Sequence, residues 1–108
     1  MPLAIASTNE QKVPVTATPL TNTGKPASVD GPLRVTVVSG EGTVEQDPAF
    51  PLTFKAVSGD NPGTTEYLVE ADADLGAGEV LIQDTVTYVV SGANAVSFGL
   101  ASGTPELK

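Results

Sequence analysis

A chain of 108 residues and 10.9 kDa has the size of one ordinary domain, and folding at this mass buries roughly 65% of the unfolded surface, enough for one core without covalent staples. It contains no cysteine and no histidine, which excludes disulfides, thiolate nucleophiles, cysteine zinc sites and both Ser-His-Asp and Cys-His catalysis. Thirteen acidic against five basic residues leave a net charge of -8, a field that repels phosphate backbones and anionic headgroups, so neither nucleic acid nor a membrane is an expected partner.

The N-terminus, MPLAIASTNEQKV, lacks a basic region, and its apolar stretch Leu3–Ala6 is too short for a signal-peptide core. No run approaches the roughly 20 apolar residues needed to cross a bilayer as a helix. Synthesis in the cytoplasm without an export signal is therefore expected. Fourteen Val and 13 Thr favour pleated strands, and 11 Gly and 9 Pro spread along the chain leave little room for a long helix.

In chain order, the apolar lead-in 2–8 comes first. Lys12–Thr18 then alternates, with Val13, Val15 and Ala17 on one face; Pro14 removes a ladder donor and predicts an edge strand. The polar stretch Thr21–Pro32 reads as a connection between sheet edges. Strands are predicted at Leu33–Val38, Gly42–Gln46 and Leu52–Val57. Asp60-Asn61-Pro62-Gly63 is the strongest turn and predicts a link between adjacent strands. Thr64–Ala71 follows, then Glu79–Val90, where Val80, Ile82, Val86, Tyr88 and Val90 share one face, interrupted by Asp84. Ala95–Ala101 is a weaker strand, and residues 103–108 form a frayed tail. Ser-Gly pairs at 39–40, 58–59 and 91–92 punctuate three strand ends, glycine offering positive φ at low cost. One all-β domain over 1–108, a two-sheet antiparallel sandwich of about seven strands, accounts for this pattern.

Glu70-Ala71-Asp72-Ala73-Asp74 places three carboxylates on one face of a strand, ahead of a glycine-rich turn. Counting from Glu70, Leu75 and Leu81 occupy the positions where a helix–loop–helix calcium loop needs Gly and Glu, so that motif fails. A looser calcium site from Asp72, Asp74 and Glu79 is one reading. A solvated acidic face that keeps a strand from pairing with a neighbour is the other. Asp84 has no catalytic partner in the sequence, and its expected role is to cap the backbone amides of a neighbouring turn. Of the five aromatics, most belong to a core; Phe50, flanked by Asp47-Pro48-Ala49 and Pro51, is a contact residue or a plug over one end of the sandwich.

The runs GPLRVTVVSGEGTVEQ and AVSGDNPGTTEYLVEADADLGAGEVLIQDTVTYVVSG, together spanning residues 32–92, resemble the bacterial immunoglobulin-like (Big-type) domains. The tryptophan often found on an early core strand of that family is absent, with Arg34 or Val35 in its place. A chain of this length whose first strand follows directly on Met1 resembles the small immunoglobulin-like proteins encoded among tailed-phage and prophage structural genes. That resemblance implies a non-enzymatic, virion-associated structural or display protein, a capsid decoration or a tail or fibre accessory, without a cofactor. Its implied partners are a phage capsid or tail protein, or a second copy of itself. Partner-binding candidates are Leu3 and Ile5 in the N-terminal segment, Phe50, and Val96, Phe98 and Leu100 in the C-terminal one. A carbohydrate-binding or adhesion module is the alternative, although a chain without Trp is poorly supplied with sugar-stacking platforms.

Overall fold

The computed structural model describes residues 2–76, 78 and 80–108. Those residues form seven strands and no helix: β1 (Leu3–Thr8), β2 (Lys12–Thr16), β3 (Asp30–Ser39), β4 (Thr43–Gln46), β5 (Thr53–Val57), β6 (Gly63–Asp72) and β7 (Leu81–Ser91). They build a four-stranded sheet in the order β1-β7-β6-β3 and a three-stranded sheet in the order β2-β5-β4. β1 runs parallel to β7, from Leu3 opposite Val86 to Thr8 opposite Ser91, and the other pairings are antiparallel.

The all-β, two-sheet expectation therefore holds, and the strand expected directly after Met1 is β1, but two parts differ. The β1–β7 pairing is parallel, where a wholly antiparallel sandwich was expected. Ala95–Ala101 pairs with no described residue: from Gly92 onward the chain has no strand and every residue is exposed. The cause is occupancy. A strand following β7 would normally fold back beside it, but β1 fills one side of β7 and β6 the other. The molecule measures 80 × 30 × 24 Å, with a Cα radius of gyration of 19.7 Å against about 13 Å for a compact domain of this length.

The inward faces of both sheets meet in one core. Val15, Phe54 and Ala56 come from the smaller sheet, and Leu33, Tyr67, Ala71, Val86, Tyr88 and Val90 from the larger. Phe54, Tyr67 and Tyr88 are its largest fully buried side chains. Their rings form a chain of contacts, with centroids 6.2 Å apart for Phe54–Tyr67 and 6.5 Å for Tyr67–Tyr88. Both hydroxyls find partners. Tyr67 donates to the Thr43 carbonyl at 3.0 Å, joining the two sheets, and the Tyr88 hydroxyl meets the Ser7 hydroxyl and donates to the Gln11 carbonyl at 3.3 Å.

Turn chemistry closes the layers. Gly40 has a φ of 96°, and a Cβ there would lie 2.5 Å from the Thr64 carbonyl, so both conformation and space demand glycine. The neighbouring Gly42 amide donates to the buried Thr65 hydroxyl at 2.9 Å, pinning the β3–β4 crossover onto β6. Of the three Ser-Gly pairs, only Gly40 uses positive φ; at Gly59 the need is space, since a Cβ would meet Glu41. The Asp60–Gly63 turn connects β5 to β6, which lie in different sheets, rather than adjacent strands. Glu41 receives the Asn61 side-chain amide at 3.1 Å and holds that crossing in place. Pro14 does lie on an edge strand, β2, as its missing donor predicts.

Burial, with the neighbouring Tyr88 as a smaller cause, pushes the Tyr67 hydroxyl from 10.0 up to about 12. The folded state thus prefers the neutral phenol, and this contribution to stability is complete below pH 10 and is lost as pH rises toward about 12. Tyr67→Phe keeps the ring and removes the titration. We expect it to cost about 1 kcal/mol at neutral pH through the lost bond to Thr43 and to make the alkaline fall in melting temperature shallower than in the wild type. Equal alkaline slopes would contradict this assignment.

Candidate binding surfaces

On β6 the outward side chains Glu66 and Glu70 pair across the strand with β7. Glu66 accepts from the Thr87 hydroxyl at 3.1 Å, and Glu70 accepts from the Gln83 amide at 2.9 Å. β6 lies between β7 and β3, so these carboxylates dress a sheet face and guard no edge, contrary to the edge-protecting role read from the sequence. Asp72 Oδ1 accepts the backbone amides of Asp74 at 2.9 Å and Val80 at 3.0 Å, and Asp74 Oδ1 accepts that of Gly76 at 2.8 Å. The acidic run therefore shapes the β6–β7 connection through local side-chain-to-backbone bonds. Glu79, the third carboxylate of the calcium reading, lies outside the described residues, and no cluster of three or more acidic side chains suited to a metal ion occurs among those described. Asp84 accepts the amide of the next residue, Thr85, at 2.9 Å, a bond within β7 and not to a neighbouring turn.

The structure separates the six partner-binding candidates. Ile5 is half-buried and packs against the core beside Tyr88, so its side chain is committed to the fold. Leu3, on the same inward face, is 43% exposed because the smaller sheet does not extend over it. Phe50 lies in the β4–β5 connection, 64% exposed, beside a cavity of about 350 Å³ lined by Glu45, Gln46, Asp47, Thr53 and Lys55. Val96, Phe98 and Leu100 are 96%, 90% and 91% exposed. The three alternate in sequence with Ser97 and Gly99, in a segment that forms no strand and bends at Asn94 and Ser97.

A further surface has no counterpart in the sequence reading. β2 ends at Thr16 and the smaller sheet is short, so the inner face of the larger sheet is left open beyond it. A groove of about 330 Å³ forms there between Ala17, Leu20, Leu33, Val69, Ala71 and Ile82, with Glu70 and Asp84 among its polar lining. Ile82, predicted to lie in the core, is 41% exposed at this mouth. The alternation of β7 was the available signal, but only the length of the opposing sheet decides how much of an inward face is covered.

No known protein family matches the chain, and no curated protein does.

Asp72→Ala should release the amides of Asp74 and Val80, destabilise the domain by about 0.5–1.5 kcal/mol and speed hydrogen exchange at both. With its carboxylate oxygen already bonded, added calcium should leave the melting temperature unchanged. A calcium-induced rise abolished by Asp72→Ala would show the carboxylates acting as ligands instead.

Proposed function

We propose that this chain is a non-enzymatic binding module with an immunoglobulin-like sandwich, carried on the particle of a tailed phage or prophage as a capsid decoration or a tail or fibre accessory. The observation that carries the binding reading is the segment beyond Gly92, which presents Val96, Phe98 and Leu100 in alternation to solvent from a core that closes without them. Large apolar side chains held outside a finished core mark an interaction surface, and a segment with alternating apolar residues that forms no strand in its own chain is suited to add to another protein's sheet or groove.

The strand grouping supports the immunoglobulin-like part. β2-β5-β4 and β3-β6-β7 match the B-E-D and C-F-G memberships of a constant-type domain, with β1 added beside the last strand. The particle assignment rests on the resemblance to the small immunoglobulin-like proteins encoded among tailed-phage and prophage structural genes, and synthesis in the host cytoplasm follows from it. Non-enzymatic action agrees with the sequence, which offers neither cysteine nor histidine.

Exposed Phe50 beside polar Glu45, Gln46, Asp47 and Lys55 favours a second reading, a glycan site built on one aromatic ring. Glycan-array binding lost in Phe50→Ala would establish it.

For the leading reading, mass spectrometry of purified particles from the encoding host should detect the chain at a fixed copy number. Phe98→Asp should deplete it from the particle at unchanged melting temperature, because Phe98 contributes nothing to the core. Absence of the chain from particles, or full retention of the variant, would count against it.

A further inference from the structure

The exposed segment and the open groove are complementary. One is a short strand-free stretch with three exposed apolar side chains at alternate positions, and the other is an apolar trough whose wall includes Leu20, Leu33, Val69, Ala71 and Ile82. Charge favours their meeting. Beyond Gly92 the side chains carry only Glu106 and Lys108, whereas the chain as a whole carries -8, so this is the stretch best able to approach the acidic body of another copy, with Glu70 and Asp84 beside its groove.

Chain length decides which body it enters. The groove lies against Ile82 to Asp84, at the opposite end of β7 from Ser91, where the segment leaves the sheet. Seven residues of strand put Asp84 about 24 Å from Ser91. The five residues from Ser91 to Val96 reach at most about 18 Å even when fully extended. Val96 therefore falls short of its own groove, and all three apolar side chains seat together only in a different molecule.

We propose that Val96, Phe98 and Leu100 of one copy seat in the groove lined by Leu20, Ala71 and Ile82 of a second copy. This deepens the binding reading above, on which it rests, by naming a second copy as the partner. The contact is head-to-tail: each copy offers a segment and a groove, so the interaction propagates into a ring or a filament according to the rotation between neighbours.

Sedimentation equilibrium of the full-length chain and two full-length variants tests it. Wild type should gain mass with concentration above 10.9 kDa. Phe98→Asp, which spoils the segment and keeps the groove, should weaken association about tenfold or more. Leu20→Asp, at a position 61% exposed and so tolerated by the fold, should do the same by spoiling the groove. A one-to-one mixture of the two variants should recover association and stop at two chains, because one intact segment then meets one intact groove. Association of Phe98→Asp equal to wild type, or a mixture that stays monomeric, would overturn the proposal. A wild type that stays monomeric at every concentration would overturn it too, while leaving the particle-binding reading to stand or fall on its own test.

Discussion

The Tyr67 hydroxyl crosses the interior from the middle of the four-stranded sheet to the Thr43 carbonyl at the start of β4, and much of the structure is arranged so that it can. A phenol buried without a partner would cost the full desolvation of its polar group, so the opposing backbone has to arrive at one place. Gly40 and Gly42 let the β3–β4 crossover descend onto β6 close enough for that, since a Cβ at Gly42 would lie 2.5 Å from the Tyr67 hydroxyl itself. Thr65, one inward position away on β6, takes the Gly42 amide and fixes the same loop from below. Tyr88 repeats the device at the β1–β2 corner through Ser7 and Gln11. Packed against Phe54, the two tyrosines form a core in which aromatic burial and inter-sheet hydrogen bonding are carried by the same residues.

A core set in this way is local. It lies where the short strands β2, β4 and β5 oppose β6 and β7, and stops where they stop. The longer sheet runs on, leaving Leu3 and Ile82 half-covered and a groove at the mouth. At the other end β7 delivers the chain into solvent with both of its edges already paired. The open groove thus follows from sheets of unequal length, and the exposed segment from the pairing of both edges of β7.

Much of this was legible in the residues, for physical reasons that also mark where legibility ends. β6 and β7 announce themselves because alternation over ten or so residues is a local property of the chain, and the observed ends fall within two residues of those read from the pattern. The strand at Leu3–Thr8 depends on a parallel partner some eighty positions away, which no local pattern encodes. Residues 95–101 alternate much as β7 does, yet alternation establishes only that a segment could be a strand. Whether it becomes one depends on a free edge, and none was left beside β7. The acidic run shows the same division: its chemistry is evident from Glu70, Asp72 and Asp74, whereas the amides they hold appear only once the connection to β7 is folded.

If the core closes on residues before Gly92 and leaves the rest outside it, a dilute solution of single molecules should be much longer than a compact domain. Small-angle X-ray scattering extrapolated to zero concentration measures this directly. A core closed in this way gives a radius of gyration near 19.7 Å at the mass of one chain. A value near the roughly 13 Å of a compact domain of this length would show the segment folded back onto its own body, and would contradict it.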